Sequence, residues 1–214
     1  MDPRIYAAVG FHPHDASSWT KDSLVEIREL AKDEKVVAIG EIGLDYFRDR
    51  SPRVQQRKVF EELLNLALEL CLPVVIHNRE ALSDLLPLVT SWIEQWNKSV
   101  QLPQKSPGVM HAFSEKIVIA EKMVHLGFFL GISGAVTYGH GTDLQNLVRT
   151  ISLDKLLLET DAPYLTPVPY RGKRNEPSYL PLVAEMIADQ KKIPIKICAE
   201  ATSNNAEHLF GWRE

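Results

Sequence analysis

Short apolar runs alternate with longer segments of helical periodicity along the chain. Six runs of strand length, several rich in β-branched residues, predict buried strands at residues 5–10, 36–41, 73–77, 108–111, 128–133 and 156–161. Between and after these runs, apolar residues recur at helical spacing and predict helices at residues 24–30, 52–70, 82–96, 117–126, 144–151, 180–188 and 194–210. Ser51 and Pro52 are predicted as the N-cap and first position of the second helix. The alternation predicts a parallel sheet wrapped by helices.

The order of these elements predicts an α/β fold, a TIM-type (β/α)8 barrel that is incomplete at its N-terminus, in a single domain over residues 1–214. A complete barrel has eight strands and about 250 residues. The sequence gives about six strands, with few residues before the first. An open doubly wound sheet is the alternative. The barrel is favoured because no glycine-rich phosphate loop follows an early strand, and because ionisable residues end nearly every strand.

The composition is that of an ordinary soluble protein, with 45% hydrophobic and 24% charged residues. The formal net charge of −4 excludes a generic polyanion binder, so a nucleic-acid contact would need a local basic patch or a metal. Cys71 and Cys198 have neither metal nor redox spacing. No apolar run approaches the length of a membrane span, and residues 1–3 do not begin a signal peptide. We therefore expect a cytoplasmic protein without membrane contact.

Four of the predicted strands end on a side chain that can bind a metal ion. These side chains are Glu41, His77, His111 and Asp161. Each of them alone is better explained by a structural role, such as a hydrogen-bonded histidine or a carboxylate paired with arginine. Four of them at equivalent places favour a metal site. Because side chains alternate along a strand, Glu159 shares a face with Asp161 and is expected to accept a hydrogen bond one layer lower.

Six motifs resemble those of the TatD-type metal-dependent deoxyribonucleases, a branch of the amidohydrolase-like barrels. They are Gly-Phe-His-Pro-His at residues 10–14, Gly-Glu-Ile-Gly-Leu-Asp at 40–45, Pro-Val-Val-Ile-His-Asn-Arg at 73–79, His-Ala-Phe-Ser at 111–114, Glu-Thr-Asp-Ala-Pro at 159–163 and Arg-Gly-Lys-Arg-Asn-Glu-Pro at 171–177. The motifs occur in the family's order, so the resemblance extends over the whole chain. One departure is Glu115, which stands where the family's pattern has a glycine after the serine.

The resemblance implies a hydrolase that cleaves DNA phosphodiester bonds with one or two divalent metal ions, namely Mg, Mn or Zn. Glu41 would bridge two ions, and His77 and His111 would bind one of them. Asp161 would bind the other ion and would orient or deprotonate the attacking water. Glu41 and Asp161 are therefore the expected catalytic residues.

The expected partner is the DNA substrate, and no stable protein partner is predicted. By the resemblance, His12 and Arg79 would contact the substrate phosphate, for which a planar guanidinium group is well suited. Arg171, Lys173 and Arg174 form a local basic cluster. A contact with the DNA backbone and a solvated loop explain this cluster equally well.

The family's opening strand has no counterpart in this sequence. That strand contains Asp-x-His-x-His, whose two histidines bind a metal; His12 and His14 also form a His-x-His, but within the separate Gly-x-His-Pro motif. Loss of two imidazole ligands would weaken a metal that relies on them. Two alternatives to the deoxyribonuclease thus stay open: a metal-dependent hydrolase of a non-nucleic-acid amide or ester, and an inactive truncated barrel.

Overall fold

The apolar runs form parallel strands, and amphipathic helices connect them along the chain. The computed structural model describes residues 2–99, 105–140 and 142–212. The strands are β1 (Ala7–Val9), β2 (Val36–Asp45), β3 (Val74–Arg79), β4 (Gly108–Met110), β5 (Phe129–Ile132) and β6 (Leu156–Leu158). The helices are α1 (Lys21–Leu30), α2 (Arg53–Leu70), α3 (Leu82–Ser99), α4 (Ile117–His125), α5 (Asp143–Thr150), α6 (Leu180–Lys191) and α7 (Ile195–Phe210).

The chain divides into two compact units. Unit 1 comprises Met1–Val109 and Leu209–Glu214, and unit 2 comprises Met110–His208. The boundary between the units divides β4 after Val109. In unit 1, β1, β2 and β3 are adjacent parallel strands, and the first two residues of β4 come next in the order of strands. In unit 2, the last residue of β4 is followed in that order by the adjacent parallel strands β5 and β6. The predicted α/β class with six parallel strands is confirmed, and the single domain over residues 1–214 stays a prediction.

Strand β2 lies in the core of unit 1. Its side chains Ala38, Ile39, Ile42 and Leu44 are fully buried. Helix α2 packs against β2 and buries its own apolar stripe, in which Phe60 and Leu63 recur at helical spacing. Burial on both faces explains why an almost continuous apolar run, rather than an alternating one, forms this strand.

The start of α2 differs from the prediction. The helix begins at Arg53, and Pro52 occupies the cap position without a side-chain cap. The hydroxyl of Ser51 instead accepts the backbone N–H of Ser17 at 3.0 Å and donates to the carbonyl oxygen of His14 at 2.8 Å. The predicted capping role of Ser51 is wrong, because its hydroxyl is bonded to the short 3-10 helix Pro13–Ser18.

Two other boundaries also differ from the sequence-based ones. The sixth strand was expected to reach Asp161, but β6 ends at Leu158 and the residues after it belong to a loop. The third helix, predicted to end at residue 96, continues to Ser99, and the buried Trp96 lies within it. Residues 100–104, which follow it, lie outside the described residues. Within the described ranges, no helix combines the length and apolar character needed to cross a membrane.

Candidate metal centre

Three residues of unit 1 bring together side-chain atoms that can bind a metal ion. His12, Glu41 and His77 each offer one such atom, and these atoms all lie within 4.8 Å of one another. Nδ1 of His77 is 2.7 Å from Oε1 of Glu41, and Nε2 of His12 is 3.7 Å from the same oxygen. All three side chains are partly buried, which leaves them accessible to a small ion.

Asp45 joins this group from the end of β2. The residue is only 1% exposed. Its Oδ2 atom lies 3.1 Å from Nε2 of His77 and 2.9 Å from Nε2 of His14. Its Oδ1 atom accepts the backbone N–H groups of Phe47 and Arg48 at 3.1 and 2.7 Å. A buried carboxylate is favourable only when its lone pairs are bonded in this way.

These bonds decide the ionisation of Asp45. Burial by itself raises the pKa of the carboxyl group. The hydrogen bonds from the backbone of Arg48 and from His14 and His77 outweigh burial, so the pKa of Asp45 lies below its ordinary value. Asp45 is therefore a carboxylate at neutral pH. It fixes the His77 ring from one nitrogen while the other nitrogen faces Glu41, as outer-shell carboxylates do at metal-binding histidines.

His12 is held differently from His77. Burial lowers the pKa of His12, and the neighbouring His77 and His14 add to the effect although Glu41 opposes it. The ring is therefore neutral at neutral pH. Its Nδ1 atom accepts the backbone N–H of His14 at 3.2 Å. Because Nδ1 is an acceptor, the single ring proton is assigned to Nε2, which makes His12 a hydrogen-bond donor in this arrangement.

The backbone of β2 brings Glu41 and Asp45 close to β3. Gly43 lies opposite His77 in the strand register. A Cβ atom at Gly43 would lie 2.0 Å from the carbonyl oxygen of His77, and the φ angle of Gly43 is +144°. Only glycine allows this close approach of the two strands. The site of unit 1 therefore depends on a residue that has no side chain.

Unit 2 contains a second histidine between two carboxylates. Nδ1 of His111 lies 3.0 Å from Oε2 of Glu159, and Nε2 lies 3.4 Å from Oδ1 of Asp161. The other oxygen of Glu159 accepts the backbone N–H of Ala112 at 2.6 Å. Glu159 thus fixes the ring of His111 in the way that Asp45 fixes that of His77.

The loop of unit 2 that follows Asp161 presents the predicted basic cluster. Arg171, Lys173 and Arg174 are all exposed. The Arg171 guanidinium carbon lies 4.3 Å from the ring centre of Tyr138, and Nζ of Lys173 lies 5.5 Å from that of Tyr170. The cluster is therefore open to a ligand while its cations rest on aromatic rings.

The sequence motifs and the geometry agree with one family. Residues 1–211 match the family model described as TatD-related DNase. The chain belongs to this family. It is 43% identical over 206 residues to the protein named uncharacterized metal-dependent hydrolase YabD of Bacillus subtilis, an alignment that covers 96% of this chain and 77% of the relative. It is 39% identical over 212 residues to the protein named 3′-5′ ssDNA/RNA exonuclease TatD of Cronobacter turicensis, with 96% of this chain and 76% of the relative covered.

A crystal structure supports the same assignment. YJJV, a TatD homologue from Escherichia coli K12, superposes with a TM-score of 0.86 and 32% sequence identity, and the match covers 97% of this chain and 77% of that one. This likeness confirms the predicted fold class.

Within the TatD-family motifs, the structure brings together predicted site residues in each unit. In unit 1, Glu41 and His77 are hydrogen-bonded, and His12 is beside them. In unit 2, His111 lies next to Asp161. Glu159, which is expected to accept a hydrogen bond, lies 3.0 Å from Nδ1 of His111, in agreement with that prediction. Their roles as ligands and catalytic groups stay predictions.

Two residues of the TatD-family site were missed as site residues by sequence reasoning. The sequence gives a signal for Asp45, because strand periodicity predicts that it shares a face with Glu41, four positions earlier. It gives none for His14 beyond its place in the Gly-x-His-Pro motif. Its contact with Asp45 depends on the 3-10 helix at Pro13–Ser18, for which apolar periodicity gives no signal.

Proposed function

We propose that this TatD-related protein is a metal-dependent hydrolase that cleaves phosphodiester bonds in DNA. The observation that supports it best is the grouping of His12, Glu41 and His77, whose candidate ligand atoms lie within 4.8 Å of one another. Membership of the TatD-related DNase family supports the reaction class. The name of the Cronobacter relative, which specifies single-stranded DNA and RNA, supports a nucleic-acid substrate.

The donor atoms of unit 1 fit a divalent metal ion. Imidazole and carboxylate ligands together suit Zn or Mn, and Mg when water completes its coordination. Two ligands of one ion, each about 2.1 Å from it, are separated by up to about 4.2 Å. Nδ1 of His77 and Oε1 of Glu41 are 2.7 Å apart, within this limit, so a small movement of the two side chains would allow them to share an ion. We propose one or two such ions.

Each unit supplies ligands and a residue that fixes a ligand. In unit 1, Glu41 and His77 would hold the metal while Asp45 keeps the His77 ring in place. In unit 2, His111 and Asp161 are the proposed ligands, and Glu159 holds the His111 ring. A bound divalent ion supplies Lewis-acid chemistry, which activates water and neutralises charge on phosphoryl oxygens.

The remaining steps belong to side chains that face solvent. The side chain of Asp161 is 34% exposed, so its carboxylate can orient a water molecule and accept its proton. The Nε2–H group of His12 would donate a hydrogen bond to a phosphate oxygen, since Nδ1 of the ring is occupied as an acceptor from the backbone N–H of His14. The exposed guanidinium group of Arg79 would bind the phosphate through two parallel N–H groups.

Hydrolysis of labelled single- and double-stranded DNA tests the proposed function. The protein is assayed with Mg²⁺ or Mn²⁺, with and without a chelator. We expect chelation to abolish cleavage and the double substitution Glu41→Ala with Asp161→Ala to lower the rate at least about a hundredfold. Glu61→Ala and Asp154→Ala remove exposed carboxylates elsewhere in units 1 and 2 and serve as matched controls. Cleavage that survives chelation would refute the proposal.

The same preparations test the amide or ester alternative. A panel of small amide, lactone and ester substrates is assayed under identical metal conditions. If the phosphate contact of Arg79 is real, Arg79→Ala lowers turnover of DNA and leaves any ester turnover unchanged. Turnover of esters together with unaltered turnover of DNA in Arg79→Ala would favour the alternative. Calorimetric titration with Mn²⁺ or Zn²⁺ adds a test of binding that does not require a substrate.

A further inference from the structure

Phe47 presents an aromatic ring to solvent two residues after β2. Its side chain is 51% exposed. Single exposed apolar side chains are common and by themselves indicate no function. Phe47 differs because two guanidinium groups lie over its ring, with the central carbon of Arg79 at 4.0 Å and that of Arg48 at 5.7 Å from the ring centre. An exposed ring with two such cations in contact is suited to a ligand that is both aromatic and anionic.

The turn that bears Phe47 is bonded to the candidate metal centre of unit 1. Oδ1 of Asp45 accepts the backbone N–H groups of Phe47 and Arg48. Oδ2 of the same carboxylate lies 3.1 Å from Nε2 of His77. One buried carboxylate therefore fixes both the turn and a proposed metal ligand. The turn that carries Phe47 is therefore bonded to the centre at which a phosphodiester would react.

We propose that Phe47, with Arg79 and Arg48, binds an unpaired nucleobase and its phosphate beside the candidate metal centre. This inference rests on the proposed function and adds to it the residues that would bind an unpaired base. A base in a single strand can expose its π face to an aromatic ring, and guanidinium groups can bind the adjacent phosphates. In a duplex both faces of an internal base are covered by its neighbours, so Phe47 would add little to duplex binding.

Binding measured without turnover tests this inference. Fluorescence anisotropy follows a labelled thymidine oligomer of about ten nucleotides, a length within the usual single-strand site sizes. A chelator is present, so no hydrolysis occurs. The comparison oligomer has the same length and phosphate charge but carries abasic sugars. Phe47→Leu keeps an apolar side chain without a π system, and Phe47→Trp keeps the aromatic face.

We expect Phe47→Leu to raise the Kd for the thymidine oligomer about tenfold and to leave the Kd for the abasic oligomer unchanged. Phe47→Trp should retain binding close to that of the natural protein. Val54→Ala is the matched control, because it shortens another exposed apolar side chain of unit 1, 69% exposed. Equal weakening on both oligomers would overturn the inference, since it would indicate a distorted turn. An unchanged Kd for the thymidine oligomer would overturn it too.

A fluorescent base provides a second readout. The emission of 2-aminopurine falls when the base stacks on an aromatic ring, so the natural protein and Phe47→Trp should quench it more than Phe47→Leu does. The two proposals fail separately in these experiments. DNA cleavage by the metal-loaded protein with unaltered binding by Phe47→Leu would keep the proposed function and reject the role of Phe47. Base-dependent binding without metal-dependent cleavage would keep the role of Phe47 and reject the proposed function.

Discussion

The Nε2 atom of His77 lies 3.1 Å from Oδ2 of Asp45, a carboxylate that is 1% exposed. This contact commits one ring nitrogen to a charged partner, while the other nitrogen lies 2.7 Å from Glu41. The same relationship recurs in unit 2, where Glu159 is 3.0 Å from Nδ1 of His111. In each unit a carboxylate orients the imidazole, which is the usual outer-shell arrangement around a metal-binding histidine.

Substitution of Asp45 by asparagine should weaken metal binding without removing a proposed ligand. The amide loses the negative charge that makes the His77 ring a better ligand, so we expect the affinity for Mn²⁺ to fall about 10- to 100-fold in a calorimetric titration. Asp49→Asn removes a carboxylate that is 50% exposed and paired with Arg53, and it should leave the affinity unchanged. An unaltered affinity in Asp45→Asn would contradict the orienting role.

Tyr46 should ionise only in strong alkali. Burial, the hydrogen bond from its hydroxyl to Asp84 at 2.7 Å and the charge of that carboxylate raise the pKa of Tyr46 to about 12. Because this value lies above the ordinary 10.0, the folded state keeps the proton longer than the unfolded state does. The contribution to stability is complete below about pH 10 and is lost as the pH rises toward 12. The difference in tyrosinate absorbance between the natural protein and Tyr46→Phe should show a transition near pH 12, and one near pH 10 would refute the prediction.

Most of the fold could be predicted because strands buried on both faces require apolar runs. The apolar run that starts at Val36 predicts the second strand, and β2 begins there. Its predicted end at Glu41 is wrong, because β2 continues to Asp45. The errors in the predicted fold lie at the ends of helices and strands. At a helix start, for example, a side-chain hydroxyl can bond to the helix or to another part of the chain. Ser51 next to a proline indicates a helix cap, but the tertiary contacts with Ser17 and His14 determine its bonds.

The site was predictable to the extent that it depends on neighbouring strands. Glu41 and His77 lie on the adjacent parallel strands β2 and β3, so their proximity follows from the order of the strands in the sheet. His14 reaches Asp45 through a 3-10 helix, and no periodic pattern encodes such a short segment. The contact of the Phe47 ring with its two arginines has no sequence signal for a similar reason, since it depends on a turn that Asp45 fixes.

The close approach of β2 and β3 makes Gly43 sensitive to the smallest substitution. A methyl group there meets the carbonyl oxygen of His77 at 2.0 Å with φ at +144°. We expect Gly43→Ala to lower the free energy of unfolding by about 3 kcal/mol or more in urea denaturation. Gly211→Ala is the matched control, because its φ is +69° and no atom of the described residues lies within 4 Å of the added Cβ. Gly211→Ala should lower the free energy of unfolding by only about 1 kcal/mol, the cost of the left-handed backbone alone. Equal losses in the two variants would show that the contact between β2 and β3 adds nothing to the cost at Gly43.

Gly131 in β5 makes room for the carboxylate that orients His111. A Cβ atom at this position would lie 2.1 Å from Oε2 of Glu159, the oxygen that is 3.0 Å from Nδ1 of His111. The end of a glutamate side chain can move, so Gly131→Ala should leave the fold intact by circular dichroism and displace the carboxylate. We expect about a tenfold loss of Mn²⁺ affinity from misorientation of the ring.

Glu159→Asp provides the test of this mechanism, because the shorter side chain withdraws the carboxylate from the added methyl group. If both substitutions act by moving one carboxylate away from His111, their effects on Mn²⁺ affinity overlap. The double variant should then bind Mn²⁺ about as well as Glu159→Asp alone, with a coupling energy of about 1.4 kcal/mol between the two positions, which is the tenfold effect of Gly131→Ala. Strictly additive losses would mean that Gly131 and Glu159 act independently. The orientation of His111 would then have a different origin from the contact seen in β5.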